Sequence, residues 1–265
     1  MIEIVSLMSS ETRLDIYRNL KQTNQTRWTG QFVIEGDKVV ERLLRSKLET
    51  VSVVVGRSWL ADFAPLVPAE VPLLVLEDDE VRELVGYDFH RGVLACGRAP
   101  ANVELSELFP PTQAESTIVV CPEVYGPDNL GNLLRTSAAL GISGVLLSTQ
   151  SANPFSRRVL RVSMGESFTL PVRVSRDLAA DLRTLAEVGF ERVATVVDPA
   201  AIPLDRFNRQ PRTAVLFGPE GHGLSEDWLA YCDQRVTIPM HGRVDSLNVA
   251  IAAGICLYVL TSTRP

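Results

Sequence analysis

From residue 117 onward, short apolar runs alternate with helix-like segments, and this alternation constrains the fold more than any other feature of the chain. The runs at 117–121, 144–148, 172–174, 192–197, 213–217 and 235–238 are strand-length and almost uninterrupted in hydrophobic residues. Strands of that kind are covered on both faces, so they belong to a mainly parallel sheet flanked by helices. Segments 131–140, 155–162, 177–187, 226–231 and 247–260 supply the helices. In the last, Val249, Ala252, Ala253, Cys256, Leu257 and Leu260 recur at helical spacing, while Ala250 and Gly254 are small enough for close helix packing.

The first hundred residues read as a smaller α/β unit. Residues 9–24 form a polar helix with Leu14, Tyr17 and Leu20 on one stripe; strands follow at 31–35, 50–55, 72–76 and 92–96, with helices from Val39 and from Asp78 between them. Pro100, Pro110 and Pro111 stand amid polar residues. The expected domains are therefore 1–97 and 117–265, joined by a linker at 98–116.

No apolar run is long enough to span a bilayer, and the N-terminus has no basic head followed by an apolar block. The expectation is a cytoplasmic protein without a membrane segment. Cys96, Cys121, Cys232 and Cys256 are widely separated, as are His90, His222 and His241, so neither a disulfide framework nor a metal site is expected. The net charge of −6 argues against coating nucleic acid by bulk charge. The acidity is concentrated, however: residues 58–120 hold 3 Lys/Arg against 11 Asp/Glu.

Chemistry-bearing residues cluster at strand ends, where ligands bind in open α/β sheets. Asn129 and Arg135 follow strand 117–121 at a strand-to-helix junction. Phe217-Gly218-Pro219-Glu220-Gly221-His222-Gly223 follows strand 213–217; its glycines allow close backbone approach, yet it lacks the Gly-Lys-Ser/Thr of a phosphate-binding loop and the spacing of a dinucleotide fingerprint. Ser246-Leu247-Asn248 opens the last helix, where Ser or Asn also satisfies free backbone amides. Arg157, Arg158 and Arg161 lie within about one helical turn, and Arg243 precedes Ser246; they read either as a solvated basic face or as an RNA phosphate-contact patch.

In this order and spacing, the segments Asn129–Thr136, Phe217–Ser225 and Ser246–Ala250 resemble the three motifs of the SpoU (TrmH-like) branch of the SPOUT RNA methyltransferases. Arg161-Val-Ser163-Met-Gly165 and Leu170-Pro171-Val172 resemble the segment between the first two motifs, so the likeness covers about 117–262. Gln31–Gly36 and Gly92–Ala95 resemble the small substrate-binding domain that precedes the catalytic one in many members. The resemblance implies a C-terminal SPOUT domain with a trefoil knot, a homodimer, S-adenosylmethionine as methyl donor and a ribose 2′-hydroxyl of RNA as acceptor. It places the cofactor against Thr195, Phe217, Gly218, Glu220, Gly221, Ile238, Met240 and Leu247.

It also points to Arg135 as the key catalytic residue, with Asn129, Glu220, Ser246 and Asn248 in support. A guanidinium stays protonated in proteins, which suits Arg135 to clamping a phosphate and stabilising a developing alkoxide better than to accepting a proton. Ribosomal RNA is preferred to transfer RNA as substrate on the strength of the N-terminal domain. A transfer-RNA methyltransferase, a non-catalytic RNA-binding or assembly factor on the same fold, and a non-RNA transferase are the competing readings.

Overall fold

The computed structural model describes residues 2–6, 11–18, 20, 29–86, 92–109, 115–240 and 245–262. The chain divides into two compact units: Met1–Ala101 with Phe155–Thr169, and Asn102–Pro154 with Leu170–Pro265.

The first unit is built on a mixed sheet in the order β1-β4-β3-β5-β2, from β1 (Ile2–Ile4), β2 (Gln31–Glu35), β3 (Thr50–Gly56), β4 (Leu73–Leu76) and β5 (Val93–Arg98). Strand β5 runs antiparallel to both β2 and β3, whereas β1 and β3 run parallel to β4. Helices α1 (Asp37–Arg45), α2 (Leu60–Phe63) and α3 (Asp78–Val85) are all short. A capping box between Glu77 and Glu80 starts α3, and Gly86 ends it in the left-handed conformation, which a side chain would disfavour. The stripe expected at the start is real: Leu14, Tyr17 and Leu20 are buried against Val54, Leu74 and Leu94. Only Thr12–Tyr17 is helical, as a 3-10 turn; the remainder of the expected 9–24 helix, apart from residues 11, 18 and 20, lies outside the described residues. Strand β1 was not expected, being too short to show an alternation.

Helix α4 (Pro127–Ala139) belongs to the second unit, but α5 (Arg157–Val162) belongs to the first. The expected boundary assigned residues 155–169 to the C-terminal domain. Phe155 and Phe168 both pack on Phe32 of β2, with ring centroids 5.5 and 5.7 Å away, and Leu160 is buried in the same core. Polar contacts reinforce this packing. Glu35, only 3% exposed, accepts hydrogen bonds from Arg157 Nη1 at 3.1 Å and Arg161 Nη1 at 2.8 Å. Arg157 Nη2 also donates to the Leu20 carbonyl at 2.9 Å, and Arg42 pairs with Glu166. A buried carboxylate needs such partners, because leaving it uncompensated carries a large desolvation cost.

The second unit is a seven-stranded, wholly parallel sheet in the order β10-β12-β9-β11-β6-β7-β8. Its strands are β6 (Ser116–Cys121), β7 (Gly144–Ser148), β8 (Val172–Ser175), β9 (Glu191–Thr195), β10 (Ile202–Pro203), β11 (Arg212–Leu216) and β12 (Gln234–Thr237), as the apolar runs required except for the two-residue β10. Helices α6 (Leu178–Glu187), α7 (Glu226–Leu229) and α8 (Val249–Thr261) complete it. The expected linker contributes to this unit: Leu105, Leu108 and Phe109 are buried with Ile118, Leu146 and Leu182, and Asn102 exchanges two hydrogen bonds of 2.9 Å with the backbone of Val174. From β6 the sheet grows to β7 and β8 on one side and to β11, β9, β12 and β10 on the other, so the β6–β11 pair sits where the direction of winding reverses, the usual place for a ligand.

Glu35→Ala strips both arginines of their shared carboxylate. Because each arginine is roughly a third exposed, the expected cost is moderate, about 1–3 kcal/mol. It is checked by urea unfolding, where the midpoint should fall with little change in slope.

Candidate functional site

The parallel pairing of β6 with β11 sets Leu216 beside Val120, so the segments leaving these strands emerge side by side although nearly a hundred residues separate them. After β6, the chain turns through Pro122–Gly126 into α4, which begins with Pro127 at its first position. After β11 comes the glycine-rich loop. An ideal Cβ on Gly218 would lie 2.4 Å from both Gly223 C and Leu224 N, so the loop folds back on itself at a place only glycine fits. Gly221 and Gly223 have φ of +90° and +68°, which reverses the chain before α7.

The third motif closes the arrangement. Asn248 is the N-cap of α8: its Oδ1 accepts from Ala250 N at 3.0 Å and Ile251 N at 3.3 Å. With the oxygen committed to backbone donors, Nδ2 faces the other way. It donates to Asn129 Oδ1 at 2.9 Å and to Glu220 Oε1 at 2.5 Å. One side chain thereby joins one residue from each of the three motifs. Gly126 is part of this geometry too, since a Cβ there would sit 3.2 Å from Asn129 Nδ2.

Beside the triad lies a cleft of about 540 Å³, within the range of small-molecule sites. Thr195, Phe217, Gly218, Glu220, Gly221 and Leu247 line it, as does Ser246. An apolar recess of about 80 Å³ adjoins it, sharing Thr195 and Leu247 and adding Ile238 and Met240. All eight expected cofactor residues therefore meet at the carboxyl ends of β9, β11 and β12. Thr195 Oγ1 donates to the Leu216 carbonyl at 2.8 Å and ties two of those ends together. The sequence reading missed Val197, Asp198 and Arg235, which also line the cleft. Val197 and Asp198 lie two and three residues beyond the end of strand β9, and that position was the available signal.

These surroundings fit a nucleoside carrying a polar tail. A small apolar recess bounded by Val236, Ile238, Met240 and Leu247 suits a heterocycle, and the glycine loop offers backbone groups unobstructed by side chains.

Arg135 lies elsewhere. It is exposed on α4, is absent from the cleft lining, and makes no hydrogen bond or ion pair among the described residues. Six residues separate it from Asn129, so the two side chains leave the helix about 120° apart. Arg157 and Arg161, expected on a solvated basic face or an RNA phosphate-contact patch, are instead held by Glu35, while Arg158 is exposed. Arg243 lies outside the described residues.

Two substitutions separate packing from polarity here. Gly218→Ala forces a Cβ into backbone that has no flexible end to yield, and should weaken S-adenosylmethionine binding by about tenfold or more, ~1.4 kcal/mol, in a calorimetric titration. Asn248→Asp keeps both capping bonds but sets a second carboxylate against Glu220. Methyl transfer should fall far more than the melting temperature, which loses only what the new carboxylate pair costs; transfer unchanged from wild type would make Asn248 a capping residue alone.

The sequence profile of the SpoU rRNA Methylase family matches residues 116–258. An uncharacterised tRNA/rRNA methyltransferase of Mycobacterium bovis is 32% identical over 259 residues, covering 95% of this chain and 89% of that protein. The 23S rRNA (guanosine-2′-O-)-methyltransferase RlmB of Ralstonia nicotianae is 32% identical over 74% of this chain and 79% of its own length. Among solved structures, an AdoMet-bound rRNA methyltransferase from Sinorhizobium meliloti superposes with a TM-score of 0.83 at 26% identity, covering 97% of both chains. The motifs, the parallel sheet and these likenesses agree, and the chain belongs to the SpoU rRNA methylase family.

Proposed function

We propose that this protein transfers a methyl group from S-adenosylmethionine to a ribose 2′-hydroxyl of ribosomal RNA. The observation that carries the reading is the bridge from Asn248 to Asn129 and Glu220 at the mouth of the cleft. An assembly factor without chemistry has no need to hold these polar groups together. Ribosomal RNA is favoured because the RlmB relatives act on 23S rRNA and match most of this chain.

Thr195, Phe217, Gly218, Gly221, Ile238, Met240 and Leu247 would hold the cofactor, which supplies, when bound, a methyl group on a positively charged sulfur. The remaining work falls to the chain's own residues. Asn248 fixes the Glu220 carboxylate and the Asn129 amide at the cleft mouth, leaving Asn129 Nδ2 available to orient the incoming ribose. Ser246 lies in the cleft lining, within the same motif, to assist. Arg135 clamps the phosphate next to the target ribose and stabilises charge that develops on the 2′-oxygen as its proton passes to solvent water.

Arg135 acts in the cleft of a second copy. Its distance around α4 from Asn129 supports this, and so does the outer face of α8. There Ile251, Ile255 and Tyr258 form an exposed apolar stripe at i, i+4, i+7 spacing, the kind of surface that a partner covers. A homodimer through this face leaves each site dependent on two chains. The route of the chain supports a trefoil knot in the same unit. After β12, outside β9, it returns so that α8 packs on α4, with Gly254 lying against Thr136, and it does so past the carboxyl end of β11 where the glycine loop sits. An RNA substrate of this kind places the enzyme in the cytoplasm.

The test is transfer of radiolabelled methyl from S-adenosylmethionine to ribosomal RNA from cells lacking the gene, with transfer RNA in parallel. Label should enter ribosomal RNA and survive alkali as 2′-O-methylated linkages; label in transfer RNA alone would move the assignment to that substrate. Arg135→Ala should cut turnover by about a hundredfold or more, the scale seen when a charge-stabilising donor is lost, with cofactor affinity near wild type. Mixed dimers of Arg135→Ala with Asn248→Asp should regain a substantial part of wild-type turnover, because one of the two clefts is then intact. Ile255→Arg should give monomers by light scattering and no transfer.

A further inference from the structure

We infer that Tyr125 is a stacking platform for a nucleobase of the RNA, next to the ribose that receives the methyl group. This deepens the proposed function and rests on it. The starting observation is an aromatic residue that is 57% exposed on a loop that is not loose. The chain around it is pinned from the last residue of β7 and the segment that follows. Ser151 Oγ donates to the Cys121 carbonyl at 2.9 Å and accepts from Val124 N at 3.1 Å. Ser148 Oγ donates to the Pro122 carbonyl, and Ala152 N donates to the Val124 carbonyl at 2.9 Å. Val124 itself is buried.

The ring is oriented as well as supported. Its hydroxyl donates to Glu123 Oε2 at 2.9 Å, and the other oxygen of that carboxylate accepts from Trp228 Nε1 at 3.4 Å. The carboxylate thus links the loop to α7. The bond to Glu123 holds the Tyr125 hydroxyl above its usual pKa. More than half of this residue is left uncovered, and it adjoins Gly126, where an added Cβ would lie 3.2 Å from the Asn129 amide nitrogen.

A rigid, exposed aromatic beside the catalytic polar groups is what recognition of an unpaired base requires. Sequence-specific RNA contacts are made mostly to unstacked bases laid on aromatic rings, and any base has a face to offer. A ring already fixed in place also loses little conformational freedom on binding. Tyr125 therefore supplies affinity and register for the target nucleotide, whereas Arg135 supplies charge.

The experiment is steady-state methyl transfer to ribosomal RNA from cells lacking the gene, comparing wild type, Tyr125→Ala, Tyr125→Phe and Tyr125→Trp, with light scattering on each. Tyr125→Ala should raise KM for RNA about tenfold while kcat changes much less, with cofactor affinity and dimer mass as in wild type. Tyr125→Trp and Tyr125→Phe should recover most of that loss. The dependence of binding on salt should keep its slope, since no phosphate contact is removed. A KM for Tyr125→Ala within twofold of wild type overturns the inference and leaves the methyltransferase reading intact. So does a shift to monomer, which would make Tyr125 part of the contact between copies. A wild-type enzyme that labels no RNA overturns both.

Discussion

The site depends on the two ends of one amide. Asn248 has to satisfy the first backbone N–H groups of α8 and at the same time hold a carboxylate and a second amide from elsewhere in the fold. Only a side chain with acceptor and donor on opposite prongs does both. Aspartate caps equally well but has no donor for Glu220, and serine offers a single oxygen for everything. Helix geometry and site geometry are consequently one constraint: α8 starts where it does because Asn248 turns there, and Glu220 points where it does because Asn248 receives it.

That arrangement in turn needs β6 and β11 to be neighbours. A parallel pair delivers both chains to the same edge of the sheet, and because the winding reverses at this pair no helix crosses over their ends to cover them. The glycines answer a different demand. Gly218 is packed against backbone of its own loop, so the turn after β11 is tighter than any side chain permits. Tightness at Gly218 and an open cleft beyond it are two consequences of the same fold-back.

The sequence displayed the second unit clearly because a parallel sheet buried on both faces leaves unbroken apolar runs, and the strand positions follow them to within a residue or two. Asn129, Glu220 and Asn248 were legible through their motifs, but the bond between them was not, since nothing local says that residues at such separations meet. Arg157 and Arg161 show the opposite failure. Three arginines within a helical turn look solvated until Glu35, more than a hundred residues earlier, is known to be buried opposite two of them. The stretch 98–116 misled through its prolines. Its polar composition concealed Leu105, Leu108 and Phe109, whose spacing fits a single 3-10 turn, too short to register as amphipathic. Strands of two or three residues, β1 and β10, are set by pairing alone and carry no pattern of their own.

The contrast between Arg135 and its surroundings bears on how such a site divides its work. Asn129, Glu220 and Asn248 are fixed by mutual hydrogen bonds, and the loop carrying Tyr125 is fixed from beneath; both are ready before any substrate arrives. Preorganised dipoles of this kind stabilise charge without having to reorganise during reaction. Arg135 stands apart, a long side chain on the solvent side of α4 with no bond among the described residues to hold it. Left in water it contributes little, because solvent screens its charge. In the proposed dimer its effect grows once a second chain and a phosphate exclude that water. Under the proposed mechanism, dimerisation and RNA binding therefore do more than position a charge: they lower the dielectric around it, which makes the strongest electrostatic contribution conditional on the correct complex having formed.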